Sequence, residues 1–413
     1  MIMNLTYKIK SFQEKLKGVM AMPAFPILLA LCAAHSLNDL LQSVITAVYP
    51  MLKQELSLDF AQIGWITLVY QISSSIFQPV VGLAFDKRPF LYSLPMGMLS
   101  TSIGIALFSY CTTLSGILVA VFLVGIGSAT LHPEASRITS LAGRERRGFA
   151  QSIFQVGGNF GGSIGPLLVA LIVAPHGRHY VLWFLIFSTL AFAAMTPIIK
   201  WYKGYLTDLK NHPEAHKKSL ALPLSKPRTI FVICVIMVLI FSKYVYMASL
   251  SSYYTFYLIQ KFGISVELSQ IFLFIFVVST AIGTMVGGPI GDRYGRKLVI
   301  WISILGTAPF SLLLPHASLP LTAVLSFCAG FMLSSAFPAI LLYAQELLPT
   351  KLGMISGLFF GFAFGVGGIA SAVLGNFADI YGIEAIYNFC AYMPLLGIVA
   401  CLLPNLKNRE LPK

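Results

Sequence analysis

The sequence predicts an all-α membrane protein, twelve transmembrane helices in two pseudo-symmetric six-helix bundles. Three observations predict it. Of 413 residues, 57% are hydrophobic and only 10% charged, with a mean hydropathy of +0.81; soluble domains carry about 25% charged residues. The apolar residues come in runs of roughly 17 or more, the length that crosses a hydrocarbon core as a helix. Finally, the two halves of the chain resemble each other weakly, at an offset near 206 residues.

Taken in order, the runs are 25–51, 57–85, 91–110, 116–138, 148–173 and 180–201, then 229–259, 268–290, 298–314, 320–344, 353–378 and 385–403. They are too long and too uniform for the alternating strands of about 10 residues that build a membrane barrel. Residues 202–228, rich in Lys, His and Pro, are the longest polar stretch. The expected organisation is an N-terminal segment (1–24), a first bundle (25–201), a linker (202–228), a second bundle (229–404) and a tail (405–413).

The repeat is carried by three matches. SLDFAQI (57–63) matches SVELSQI (265–271), VVGLAFDK (80–87) matches VGGPIGDR (286–293), and Gly125 and Pro133 fall on Gly330 and Pro338. The repeat reads as a duplicated six-helix bundle, with the two halves packed around a central pathway.

The formal charge of +13 does not point to nucleic acid. With both termini on one side, 24 of the 28 Lys and Arg fall on that side and three (Lys53, Arg178, Lys261) on the other; Lys243 lies within a span. That asymmetry is the positive-inside pattern and places both termini in the cytoplasm. The six cysteines lie far apart in or beside apolar runs, with no CxxC and no histidine at metal spacing, so neither a disulfide framework nor a metal site is expected. The first apolar run has Leu31 before Cys32 and continues past any cleavage point, which reads as an uncleaved helix.

Polar groups inside the spans mark candidate sites, because an Asp at the centre of a membrane helix costs about 2.5–3.5 kcal/mol. It must face a cavity, find a partner or take up a proton. In span 1, His35, Asn38, Asp39 and Gln42 share one helical face. In span 4, LHPEASR brings His132, Glu134 and Arg137 close together; a Glu134–Arg137 pair at i, i+3 is a structural alternative to a proton-handling role. Span 5 carries Gln151, Gln155 and Asn159 at i, i+4, i+8, either helix–helix hydrogen bonds or a cavity lining. Span 7 holds Lys243, followed along one face by Tyr246, Leu250, Tyr253, Tyr254 and Tyr257. A cation ringed by aromatic hydroxyls suits an anionic, partly apolar ligand; a Lys243–Asp39 salt bridge between the halves is the structural alternative.

The string GGPIGDRYGRK (287–297) resembles the loop signature of the major facilitator superfamily at Gly288, Asp292, Arg293, Gly295, Arg296 and Lys297. The resemblance implies that the aspartate docks at a helix N-terminus of the other half and gates the two access states. The first-half copy keeps Gly82 and Asp86 but has Lys87-Arg88-Pro89 where the second glycine and basic pair belong, so an asymmetric lock is expected. Gly157, Gly161, Gly165 and Pro166 in span 5 resemble the family's antiporter motif, and Gly353, Gly357, Gly361 and Gly365 repeat the spacing in span 11. Such glycines also simply allow close helix packing.

HSLNDLLQS (35–43), LHPEASR (131–137), FSKYVYMASLSSYYTFYL (241–258) and YAQELLP (343–349) extend the likeness to the drug exporters of this superfamily over nearly the whole chain. The resemblance implies the major facilitator fold and a bacterial inner-membrane antiporter, monomeric in the sense that one chain completes the pathway. It implies export of a small phosphonate-like anion against protons, driven by the proton gradient with no cofactor. Its proton-coupling residues would be Asp39, His35, Glu134 and His132; its substrate contacts Lys243, Tyr246, Tyr253, Tyr254, Asn38, Gln42, Gln155 and Asn159; its gate Gly82, Asp86, Gly288, Asp292, Arg293, Gly295, Arg296, Gly161, Gly165 and Pro166. A facilitator or proton symporter for a small organic or phosphorylated metabolite is the alternative. A membrane-embedded enzyme is disfavoured, since no HxxxxD and no Ser–His spacing occurs.

Overall fold

The computed structural model describes residues 24–58, 60–143, 146–211, 224–264 and 266–406. Among them no strand occurs. The first half contains α1 (Phe25–Ala47), α2 (Phe60–Lys87), α3 (Ser93–Tyr110), α4 (Leu114–Gly143), α5 (Arg147–Leu168) and α6 (Leu185–Asn211). The second contains α7 (Lys226–Phe262), α8 (Val266–Tyr294), α9 (Arg296–Leu305), α10 (Leu319–Leu347), α11 (Leu352–Tyr381) and α12 (Ile383–Cys390). Ten helical stretches among the described residues are long and apolar enough to cross a membrane. The other two spans, α3 and α5, are helices of 18 and 22 residues whose hydropathy is diluted by Ser and Thr in one and by Gly, Gln and Asn in the other.

Several helices differ in extent from the apolar runs. The helix α6 continues to Asn211 and α7 starts at Lys226, so the polar linker begins and ends as helix; residues 212–223 lie outside the described residues. Span 9 is broken into α9, a short helix Ala308–Leu313 with proline in its first turn and a 3-10 turn Leu314–His316. Span 12 is α12 followed by a 3-10 stretch Met393–Leu402, again with an initial proline. Proline lacks the N–H that an α-helix interior requires, but is tolerated in a first turn.

Large apolar side chains such as Val80, Phe160, Trp183 and Ile369 are exposed on the outside, whereas Asn38, Gln78, Gln151 and Gln345 are buried within. This inversion fits a lipid surround. The face bearing most Lys and Arg is called the basic face below. There the halves meet through α2 against α11 and α5 against α8. A Cβ on Gly82 would fall 2.1 Å from the Gly353 carbonyl oxygen, and one on Gly288 2.0 Å from that of Gly148. Only glycine lets these backbones approach so closely.

Candidate functional site

On α1, Asp39 points at two imidazoles. His35 Nε2, one turn earlier, lies 3.2 Å from Asp39 Oδ2, and His132 Nε2, from α4, lies 3.3 Å from Asp39 Oδ1. Both histidines are buried. Each has its other ring nitrogen on a main-chain carbonyl: His35 Nδ1 donates to Phe154 O (2.7 Å) and His132 Nδ1 to Ser128 O (2.9 Å). A carbonyl only accepts, so these contacts place the ring hydrogen of neutral histidine on Nδ1. Both Nε2 lone pairs then face a carboxylate, an arrangement that is repulsive until a proton or another cation enters it.

Aromatic rings keep the histidines dry. Phe154 stacks on His35 at 4.0 Å and 15°, while Phe360 and Phe364 of α11 pack against His132 with centroids 5.6 and 5.5 Å away. Gly158 of α5 forms the floor: a Cβ there would lie 2.6 Å from His35 Nε2 and 2.7 Å from Asp39 Oδ2. Asn38 is buried and donates to Asp39 Oδ1 (3.2 Å), with Thr101 of α3 3.5 Å behind it. It positions the carboxylate and does not reach open space.

The open side of Asp39 faces a cavity of about 480 Å³ between the halves. The first half contributes Asp39, Gln42, Tyr70, Gln71, Ser74, His132 and Gly162 to its walls, the second Tyr244, Met247, Phe364, Gly368 and Ser371. Gln42 accepts a hydrogen bond from Tyr70 OH at 2.7 Å, and its buried Nε2 has no partner. Of the span 5 stripe, Gln151 is committed to Ser136 and Ser140. Gln155 is half-buried, Asn159 is exposed, and neither reaches the cavity wall.

Span 7 requires a correction. Tyr246, Tyr253 and Tyr254 were expected to line the pathway, but the cavity takes Tyr244, Met247, Ala248 and Ser251 from the adjacent face. The expected face is used for packing within the second half. Tyr254 donates to Ser326 Oγ (2.9 Å), Tyr257 stacks on Tyr387 at 3.9 Å and Tyr253 donates to Ser371 O (2.5 Å). Tyr246 is buried with an unpartnered hydroxyl. Nor does Lys243 pair with Asp39. Its buried ammonium lies over Phe337 (5.0 Å) and Tyr244 (5.2 Å), and no acid faces it among the described residues. The link to the histidines is aromatic, since Phe337 packs on Phe360 at 5.2 Å and Phe360 on His132.

Glu134 sits two residues from His132 and therefore on the opposite side of α4. Arg137 grips it bidentately at 2.8 and 2.9 Å, also touches Tyr202 and lies 3.9 Å from Asp86. The site thus unites His35, Asp39 and His132 and excludes Glu134, which belongs to the closure at the basic face.

That closure has two matching parts. Asp86 accepts from the N–H groups of Gly353 (3.0 Å) and Met354 (2.8 Å) at the start of α11. Asp292 accepts from those of Gly148 (2.9 Å) and Phe149 (3.0 Å) at the start of α5. Each carboxylate caps a helix N-terminus of the opposite half, where free N–H groups and the helix dipole favour an anion. The expected asymmetry is absent from these caps, because two backbone N–H groups suffice and the missing glycine and basic pair do not enter them. It survives only in the cations. Arg296 lies 3.1 Å from Asp292 and 2.9 Å from Glu346, whereas Arg137 is 3.9 Å from Asp86. Gly295 turns the chain at φ 95°, and Arg293 is exposed beside Tyr294. Gly161 and Gly165 meet Ser36 and Ser43 of α1, so they pack one half internally and not the gate. Pro166 lies in α5, its side chain outside the described residues.

Between the caps and the cavity lies a buried polar layer that the sequence reading missed. Ser140 donates to Gln345 Oε1 (2.5 Å), Gln345 Nε2 donates to Ser356 Oγ (2.8 Å), and Ser136 donates to Ser356 Oγ (3.1 Å). Tyr70, Gly158, Phe337 and Phe360 were also missed. Gly158 was signalled by the doubled glycines of GGNFGG, but the three-residue gaps in span 5 drew attention to Gly157 and Gly161 instead.

Comparison with known proteins places this geometry. The profile of the Major Facilitator Superfamily matches residues 31–266 and 236–413. The chain is 51% identical over 390 residues to the fosmidomycin resistance protein of Escherichia coli (strain K12), covering 94% of this chain and 95% of that one. It is 39% identical over 381 residues to the uncharacterized MFS-type transporter YfnC of Bacillus subtilis (strain 168), covering 92% and 93%. Among solved structures, the transporter FucP in the outward conformation superposes with a TM-score of 0.71 at 20% identity, over 91% of this chain and 98% of that one.

Proposed function

Because the chain belongs to the major facilitator superfamily, we propose that it is a proton-coupled antiporter that exports a small anionic, fosmidomycin-like phosphonate from the cytoplasm across the bacterial inner membrane. The observation that carries this reading is the convergence of His35, Asp39 and His132 on the wall of the inter-half cavity. With both Nδ1 atoms committed to carbonyls, each Nε2···Oδ contact needs an added proton to become attractive. The cluster is therefore built to hold protons beside the substrate path. The basic face is closed by the two carboxylate caps, and the cavity lies beyond them, as an outward-facing state requires.

In this cycle the cluster loads protons from the outer side. Transition to the inward-facing state breaks the Asp86 and Asp292 caps and exposes the cluster to the cytoplasm, where the protons leave as the anion enters. The buried cation of Lys243, on the second-half wall behind Tyr244, attracts the anion electrostatically. Coupling follows because an ionised Asp39 and the anion compete for the same positive field. Support for the substrate class comes from Lys243 and from the likeness to the fosmidomycin resistance protein.

The test is drug-dependent proton movement in everted vesicles. Wild-type vesicles should release lumenal protons when fosmidomycin is added, and Asp39→Asn should abolish the response with protein still in the membrane. Undiminished coupled transport by Asp39→Asn would sink the reading, as would net uptake with the proton gradient in the direction of a symporter.

A further inference from the structure

The geometry points to a divalent transition-metal site at His35, Asp39 and His132, a zinc-class cation held by two imidazole nitrogens and one carboxylate with an open position toward the cavity. This goes beyond proton coupling and does not depend on it. Three features support it. The donor atoms lie within 4.8 Å of one another, and the two nitrogen–oxygen separations are 3.2 and 3.3 Å. A tetrahedral ion with bonds of about 2.0–2.1 Å has ligand–ligand edges of about 3.3–3.4 Å; because the two nitrogens face different oxygens of Asp39, the carboxylate would rotate to set one oxygen, or both bidentately, against the ion.

Next, both histidines are oriented as metal-binding histidines are. Each Nδ1 donates to a main-chain carbonyl, which fixes the ring and leaves Nε2 as the donor of a lone pair. His132 Nε2 is buried and faces Asp39 Oδ1 at 3.3 Å. With the ring hydrogen on Nδ1, a buried nitrogen lone pair aimed at a carboxylate is a place for a cation. Finally, Asp39 keeps about a fifth of its side chain exposed, 21%, on the cavity side. This supplies both an entry path and room for a water as fourth ligand, the arrangement of an open zinc site. Nitrogen and carboxylate donors without sulfur suit zinc and its neighbours over magnesium or calcium. On the proposed proton-coupled reading, which the binding itself does not need, a bound cation would occupy the atoms that the coupling protons use and so arrest the cycle.

The experiment uses purified full-length protein in detergent, its affinity tag removed and its metals stripped by chelator. Zn2+ is titrated calorimetrically, and Co2+ is used as the spectroscopic probe. Wild type should bind one ion per chain and give the visible absorption of a low-coordinate Co2+ centre with nitrogen ligands. Asp39→Asn and His132→Gln should each weaken Zn2+ binding about tenfold or more and remove the Co2+ bands. A His176→Ala/His179→Ala variant should behave as wild type. The proposal is overturned by absent Co2+ bands in wild type, by unchanged binding in Asp39→Asn and His132→Gln, or by loss of binding in His176→Ala/His179→Ala. Because binding is read without transport, a negative result leaves the proton-coupling test independent.

Discussion

His35 and His132 stand edge to face, ring centroids 5.0 Å apart at 88°, and present their Nε2 atoms to different oxygens of Asp39. Neither ring can turn away without breaking its Nδ1–carbonyl hydrogen bond. The three groups therefore respond as a unit to whatever cation enters. Gly158 sets how closely α5 may approach that unit. In Gly158→Ala the new Cβ would fall 2.4 Å from His35 Cε1, so His35 and Asp39 must move apart. The expected result is a loss of drug-dependent proton release of about tenfold or more, equivalent to about 1.4 kcal/mol, with normal membrane levels and helical content. Fluorescence quenching in everted vesicles, beside circular dichroism of purified protein, checks it.

The architecture was legible from length, hydropathy and charge because each of those is local. Twelve apolar runs, a basic-loop asymmetry and a repeat near 206 residues need no tertiary contact to be seen. The face of α1 was legible for the same reason, since His35, Asp39 and Gln42 follow helical spacing. What could not be read was which face of a second helix meets it. His132 and Glu134 looked like one cluster, but successive even positions on a helix diverge, and only the packing of α4 decides which of them meets Asp39. The tyrosines of α7 failed likewise. One face of that helix packs into its own half and the neighbouring one lines the cavity, and both are aromatic. A metal-like set drawn from α1 and α4 escapes any rule based on spacing along the chain.

Lys243 tests whether the proposed anionic substrate senses a charge it does not have to touch. Its side-chain nitrogen lies over Phe337 and Tyr244 without an acidic partner among the described residues, so whatever positive charge it carries there is uncompensated and open to an anionic ligand. Lys243→Gln should reduce transport of anionic substrates more than that of neutral ones, and Lys243→Arg should retain part of the difference. Minimal inhibitory concentrations for fosmidomycin and for an uncharged ester of it, in cells lacking other pumps, give the comparison. Equal losses for both would remove the counter-ion role.

The two caps make a symmetry prediction. Asp86 and Asp292 each accept two backbone hydrogen bonds of 2.8–3.0 Å, and hydrogen bonds to a charged group contribute about 1.5–3 kcal/mol. Asp86→Asn and Asp292→Asn should each shift the access equilibrium toward opening of the basic face by about tenfold, and by similar amounts. Gln345→Leu, which breaks the polar layer beneath, should act in the same direction. The readout is thiol labelling of a cysteine placed at Ser152, buried in the closed state against Gly288 of the other half, in a cysteine-free background. A large effect of Asp292→Asn with none of Asp86→Asn would restore the asymmetric lock.

On the face opposite the basic loops, Arg178 binds Glu55 with two hydrogen bonds of 2.8 Å, joining the connection after α1 to the one before α6. That hydrogen-bonded guanidinium holds Glu55 below the usual glutamate value of 4.5. A carboxylate with a lowered native value adds stability that is complete above its unfolded value and is lost as pH falls through the native one. Glu55 remains 44% exposed, so solvent screening keeps the contribution small, about 1 kcal/mol or less. Glu55→Gln should therefore melt a few degrees below wild type at pH 7, and the gap should narrow below about pH 4.5 and close as Glu55 itself becomes protonated. Thermal unfolding in detergent across that range measures it. A gap that persists unchanged in acid would mean that Glu55 acts through packing or a neutral hydrogen bond, and not through its charge on Arg178.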